Sequence, residues 1–142
     1  MKLSTKSRYG VKALADLALQ SSSEPVTIKS ISERQNISEY YLEQLFAILR
    51  KAGLIRSIRG AQGGYVLNKS PENITVKEII SALEGPISVS ACLTEESCEN
   101  INDCPTRLLW KKIKESIDLV TSTTTLKDII DDYKEFSKKR SE

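Results

Sequence analysis

The chain has 142 residues, 39% of them hydrophobic, enough to bury a core, while no apolar run approaches the length of a transmembrane helix. The net charge of +2 hides a split: residues 1–69 hold 11 Lys/Arg against 5 Asp/Glu, a balance of +6, and residues 70–142 hold 10 against 14, a balance of −4. No histidine is present, which removes the commonest general base and a common metal ligand. Neither a nucleophile–base pair nor a phosphate-binding loop is visible, so an enzyme is the weakest reading.

Residues 1–6 read as a short basic lead, a strand or an arm, with no apolar stretch of signal-peptide type, and a cytoplasmic protein is expected. From residue 7 to about 20 the chain reads as a buried core helix, because Tyr9, Val11, Ala13, Leu14, Ala15, Leu17, Ala18 and Leu19 make it apolar over much of its circumference. Residues 21–25 form a loop. A short helix follows from about residue 27 to 35, with Thr27 as its cap and Ile28 and Ile31 on its apolar face. Residues 35–38 make a turn in which Asn36 tolerates positive φ and Ile37 plugs the angle between two helices.

The next helix has the clearest pattern. Ser38 is its N-cap, and Leu42, Leu45, Phe46 and Leu49 recur at i, i+3, i+4 and i+7. Glu39, Tyr40, Glu43, Gln44, Ala47, Arg50 and Lys51 fall on the outer face, and Gly53 ends the helix. Residues 54–59 then read as a strand, residues 60–64 as a tip with three glycines, and residues 65–67 as the returning strand. A helix, a turn, a second helix and a two-stranded wing form the layout of a DNA reader, although any helix pair followed by a hairpin in a small α+β domain gives a similar pattern. The basic first half favours a polyanionic partner, and Arg56 and Arg59 beside the glycine tip suit a phosphate or a minor groove.

After a loop over residues 68–73, Thr75 and Glu78 form a capping box before a helix carrying Val76, Ile79, Ile80 and Leu83, which Gly85 and Pro86 stop. Residues 86–105 look irregular. A long helix is expected from about 105 to 121, with Pro105 near its first turn. Leu109, Ile113, Ile117 and Val120 form a stripe along it, which Leu108 and Trp110 widen. This stripe either packs back on its own domain or joins a second copy, as in two-fold helix-turn-helix dimers. Thr125 and Asp128 cap one more helix, with Leu126, Ile129, Ile130 and Tyr133 on its face, and the charged tail from Lys138 is expected to fray. The expected organisation is a DNA-binding domain over residues 1–85, a cysteine-containing loop over 86–105, and a dimerisation helix with a C-terminal helix over 106–142.

The three cysteines, Cys92, Cys98 and Cys104, form a C-x5-C-x5-C array in that loop. Their odd number does not read as a disulfide framework, and the spacing is not the Cys-x-x-Cys of a zinc knuckle. Three thiols so close together can converge on one centre, and the carboxylates Glu95, Glu96, Glu99 and Asp103 would attract a cation. An iron–sulfur cluster, a zinc ion and a redox-switching thiol set all remain open on spacing alone.

Several stretches together resemble the winged-helix repressor family of the bacterial iron–sulfur cluster regulators (IscR-like), which also contains cysteine-metabolism and nitric-oxide-sensing repressors. They are LSTKSRYG at residues 3–10, ISERQ at 31–35, YLEQLF at 41–46, and SIRG at 57–60 with GGY at 63–65. The resemblance runs from residue 2 to about residue 130. It implies a mainly α, homodimeric winged helix-turn-helix transcription factor bound to a double-stranded operator, with the long helix crossing the dimer. Carried over by position, Glu43 is a base-discriminating residue and Arg59 the minor-groove arginine of the wing. Tyr40 and Gln44 are further readers on the same face, and Arg8, Arg50 and Arg56 are phosphate contacts. Cys92, Cys98 and Cys104 match the ligands of a [2Fe–2S] cluster, with iron–sulfur assembly or sulfur-metabolism genes as the implied targets.

One departure stands out. The cluster regulators carry a histidine where this chain has Arg107, and the nitric-oxide sensors an aspartate where it has Arg8. The fourth ligand is therefore unassigned, with Asp103, Glu99, another carboxylate or an exogenous ligand left to complete the site. The alternative implied by the same family is a cluster-free cysteine-metabolism-type repressor controlled by thiol oxidation or by a partner enzyme. A zinc-stabilised protein-interaction module without a DNA role is the reading from another class.

Overall fold

The computed structural model describes residues 3–20, 24–90, 93 and 104–141. Six helices and a two-stranded antiparallel sheet run through them: α1 (Thr5–Gln20), α2 (Ile28–Gln35), α3 (Glu39–Lys51), β1 (Ile55–Ile58), β2 (Gly64–Leu67), α4 (Val76–Glu84), α5 (Arg107–Thr123) and α6 (Leu126–Arg140). A 3-10 turn at Pro71–Asn73 joins β2 to α4. This is the mainly α, winged helix-turn-helix architecture that the sequence patterns predict.

Helix α1 starts earlier than expected. Ser4 O already accepts from Arg8 N at 3.2 Å, the first bond of the helix, so the lead is shorter than six residues. Ser7, Gly10, Ala13, Leu14 and Leu17 are buried along α1. A side chain at position 10 would collide with Leu83 Cδ1, so glycine there permits close approach of α1 and α4. The Ser7 hydroxyl donates to Glu84 Oε2 at 2.6 Å across the same contact.

The helix pair closes as its residues dictate. Thr27 Oγ1 accepts from Ser30 N at 3.1 Å and Ser38 Oγ from Tyr41 N at 3.1 Å, satisfying one free amide at each helix start. Asn36 takes the left-handed conformation at φ 55, and Ile37 is buried in the angle. Leu42, Leu45, Phe46 and Leu49 are all buried, each contributing about 1.5–3 kcal/mol by removal from water. Gly53, at φ +82, turns the chain out of α3 into the wing.

In the wing Ile55 pairs with Leu67, Arg56 with Val66, Ser57 with Tyr65 and Ile58 with Gly64. Val26, just before α2, adds a bridge that the sequence did not suggest. Val26 N donates to Tyr65 O at 2.9 Å and Tyr65 N to Val26 O at 2.8 Å. Phe46 meets Tyr65 edge-on at 5.0 Å, so the wing is fastened both to α3 and to the start of α2.

The two later caps differ. Thr75 Oγ1 accepts from Glu78 N at 3.1 Å, but the Glu78 carboxylate turns to Lys69 Nζ at 3.2 Å, so the expected box is only half made. At Thr125 the box with Asp128 is complete. Val76 N donates to Thr124 O at 2.9 Å and Leu126 N to Ile74 O at 2.8 Å, pinning the start of α6 beside the start of α4. Leu126 is fully buried in the same core as Leu14, Phe46 and Ile79. The start of α6 thus shares the core of the first segment. That helix holds to Arg140, beyond the expected fraying at Lys138, with Lys138, Lys139 and Arg140 set against its negative end.

Candidate DNA interface and thiol site

Helix α3 presents Tyr40, Glu43, Gln44, Ala47, Arg50 and Lys51 to solvent on one face, with Tyr40 72% exposed. Burial of the opposite stripe fixes this face outward, and α2 fixes its tilt. Asp16 of α1, its side chain only 2% exposed, holds α2 in place. Arg34 Nε donates to both Asp16 oxygens at 3.0 and 3.1 Å, Arg34 Nη2 to Oδ2 at 2.8 Å, and Gln35 Nε2 to Oδ1 at 3.0 Å. A buried carboxylate is tolerable because a cation and an amide supply these donors. The hydrogen bond to Asp16 raises the Arg34 pKa further above its usual value.

On the wing, Arg56 and Arg59 are exposed, as are Gly60, Ala61 and Gln62 at the tip. Gly63 N donates to Gly60 O at 3.0 Å, which keeps the tip tight. Arg8 is exposed on α1, and the neighbouring Tyr9 meets Tyr41 of α3 edge-on at 5.9 Å. The structure therefore puts Tyr40, Glu43, Gln44 and Arg50 on one helix face and Arg56 and Arg59 on the wing. Arg8 stands apart on α1.

Cys92 and Cys98 lie outside the described residues, as do Glu95, Glu96, Glu99 and Asp103. Cys104 is described, half-buried, and a free thiol just before α5. Its sulfur lies 3.4 Å from Thr106 Oγ1, and the same oxygen accepts from Trp110 Nε1 at 3.2 Å. Thr106 stands at the N-cap of α5 but makes no capping bond with its side chain. Its hydroxyl serves the indole and the sulfur instead. The hydrogen bond from the Thr106 hydroxyl, helped by the backbone of Thr106 and Arg107 and by the Arg107 charge, lowers the Cys104 pKa from its ordinary value. Arg107 Nε is buried without a hydrogen-bond partner among the described residues. Those residues contain no cluster of three or more His, Cys, Asp or Glu side chains that could hold a metal ion.

Sequence reasoning missed the Asp16–Arg34–Gln35 clamp, the Val26 bridge and the Thr106–Trp110 pair. The last had a signal, a Thr and a Trp four residues apart beside a candidate ligand, which one helical turn brings together.

A helix-turn-helix with an exposed polar face and an arginine-bearing wing is the layout of a DNA-binding transcriptional regulator. The chain belongs to the Rrf2 family, described as iron-dependent transcriptional regulators, whose model matches residues 3–132. It is 46% identical over 129 residues to the HTH-type transcriptional regulator CymR of Bacillus subtilis, covering 91% of this chain and 89% of that one. The solved structure of that protein, called the global cysteine regulator of B. subtilis, matches with a TM-score of 0.79 at 44% identity, covering 92% of this chain and 97% of that one. The HTH-type transcriptional regulator IscR of Yersinia pseudotuberculosis is 42% identical over 130 residues, covering 92% of this chain and 79% of its own. The structure of T. potens IscR matches with a TM-score of 0.78 at 46% identity, covering 95% and 90%. No helix among the described residues is long and apolar enough to cross a membrane.

Proposed function

We propose that this chain is a homodimeric transcriptional regulator that reads iron–sulfur cluster status through Cys92, Cys98 and Cys104 and controls genes of iron–sulfur assembly or sulfur metabolism. The observation that carries the sensing half is the placement of Cys104. Its sulfur is tied through Thr106 to Trp110, in the first turn of α5. A change at Cys104 is thereby a change at the base of a helix that runs on, through the Thr124–Val76 and Leu126–Ile74 bonds, to the core beneath α3.

The donor set fits a soft metal or an iron–sulfide centre: three thiols, one of them beside a hydroxyl donor and a guanidinium that favour the thiolate. A guanidinium has only N–H donors to offer, so Arg107 is not a ligand. When bound, such a centre would supply iron- and redox-dependent bonds to the three sulfurs. The remaining steps belong to the protein. Thr106 orients Cys104, α5 carries the displacement, and the two recognition helices of a dimer change their relative position.

The dimer reading rests on α5, where Leu108, Leu119 and Val120 are 70%, 64% and 61% exposed and Ile113, Ile117 and Val120 line a shallow apolar groove. A helix of 17 residues spans about 25 Å, long enough to bridge two subunits. At the DNA, Glu43 accepts from a cytosine N4 and excludes a wrong base, with Tyr40 and Gln44 beside it as readers. Arg59 enters the minor groove, while Arg8, Arg50 and Arg56 contact phosphates.

A second reading is favoured by Arg107 and by the similarity to CymR: a cluster-free repressor of cysteine metabolism, governed by thiol oxidation or a partner enzyme. Anaerobic purification with a visible spectrum and iron and sulfide analysis separates the two. Brown protein with acid-labile sulfide supports the cluster reading. Protein still colourless after reconstitution with iron and sulfide overturns it in favour of the second.

A further inference from the structure

We infer that Thr106 is a positioning residue for the Cys104 sulfur, held in place for that task by Trp110. The inference rests on the reading of Cys104 as a ligand and adds a residue to it. An indole N–H only donates, so at 3.2 Å the Thr106 oxygen must be the acceptor from Trp110. That bond fixes the rotation of the hydroxyl and leaves its own proton directed elsewhere. The Cys104 sulfur lies 3.4 Å from the same oxygen, and as a thiolate it can only accept, so in that state the Thr106 hydroxyl is the donor.

Thr106 differs from the residues that precede α2, α3, α4 and α6. A threonine at a helix start ordinarily spends its hydroxyl on a free amide of the first turn, a bond worth about 1 kcal/mol. Thr27, Ser38, Thr75 and Thr125 all do so in this molecule, and Thr106 does not. Those four are extended, whereas Thr106 enters α5 in the right-handed helical region, and its hydroxyl meets a sulfur and an indole instead.

A hydroxyl bonded to a ligand sulfur stabilises the state with more negative charge on that sulfur. In an iron–sulfur centre this raises the reduction potential, and in any metal site it fixes the direction of the sulfur lone pairs.

The test uses the full chain, loaded anaerobically with iron and sulfide or titrated with cobalt(II), which reports thiolate ligation by charge-transfer absorption. Thr106→Val keeps the shape and removes the hydroxyl. It is expected to shift the potential of the iron–sulfide form to more negative values and to weaken cobalt binding several-fold. Thr106→Ser is expected to restore both, and Trp110→Phe, which frees the hydroxyl to rotate, to give an intermediate shift. Circular dichroism checks that the helices persist. Wild-type protein that loads iron or cobalt, with Thr106→Val identical to it in potential, spectrum and affinity, overturns this inference and leaves the ligand reading standing. Wild-type protein that takes up neither metal at its thiols overturns the ligand reading, and this inference with it.

Discussion

Helices α3 and α5 have the same kind of sequence, an apolar stripe at helical spacing beside a polar face, and the molecule treats them in opposite ways. All four stripe residues of α3 are buried, so what it offers outward is Tyr40, Glu43, Gln44 and Arg50. In α5 only Thr121 is buried, while Leu108, Leu109, Leu119 and Val120 stay exposed. Solvent-exposed apolar side chains concentrated on one helix mark a surface made for another apolar surface. On the reading proposed here, the pair divides the chain's two associations: nucleic acid at α3 and a second copy at α5.

The largest expected effect lies in the filled core. Phe46→Ala removes a fully buried ring that packs against Tyr65, and should cost about 3–5 kcal/mol in denaturant unfolding, whatever the protein concentration. At α5 the loss should depend on concentration instead. The double substitution Ile113→Glu and Val120→Glu is expected to convert a dimer to monomer by sedimentation while leaving the circular dichroism of the monomer intact. A wild-type chain that sediments as a monomer at tens of micromolar would break the comparison. Smaller effects belong to the reading face. Arg59→Ala should weaken duplex binding about tenfold, near 1.4 kcal/mol, and reduce the salt slope by about one. Glu43→Ala should change total affinity less but relax discrimination at one base position by about 1–3 kcal/mol, as read by selection from a random duplex library.

What the sequence disclosed follows from which forces are local. The stripe of α3, its Ser38 cap, the left-handed Asn36 and the Gly53 exit are all decided within a few residues, and each stands where the pattern predicts. The Thr125–Asp128 box is legible for the same reason, since both partners lie within one turn. Glu78 shows the limit. Its spacing from Thr75 is right, but Lys69, nine residues earlier, takes its carboxylate, and no local rule weighs that competitor.

The Asp16 clamp was invisible because its partners stand 18 and 19 residues away and an aspartate in a helix ordinarily belongs on the surface. Gly10 likewise reads as a weak spot in a helix until Leu83 is found against it. At the candidate site, the outward face of α3 could be named from periodicity. The surroundings of Cys104 were missed, despite the four-residue spacing of Thr106 and Trp110, because a threonine before a helix is normally read as a cap.

Whether the thiols govern the face proposed to read DNA is decided by measuring duplex binding of one protein in two states. A cognate duplex chosen by selection would be titrated with the anaerobic iron- and sulfide-loaded chain, with the metal-free chain, and with Cys92→Ser/Cys98→Ser/Cys104→Ser, by fluorescence anisotropy at fixed salt. The account predicts that loading changes affinity or operator preference at least severalfold for the wild-type chain and leaves the triple variant, still a folded dimer, unchanged. Equal affinity and equal preference of the loaded and metal-free wild-type chains would contradict it.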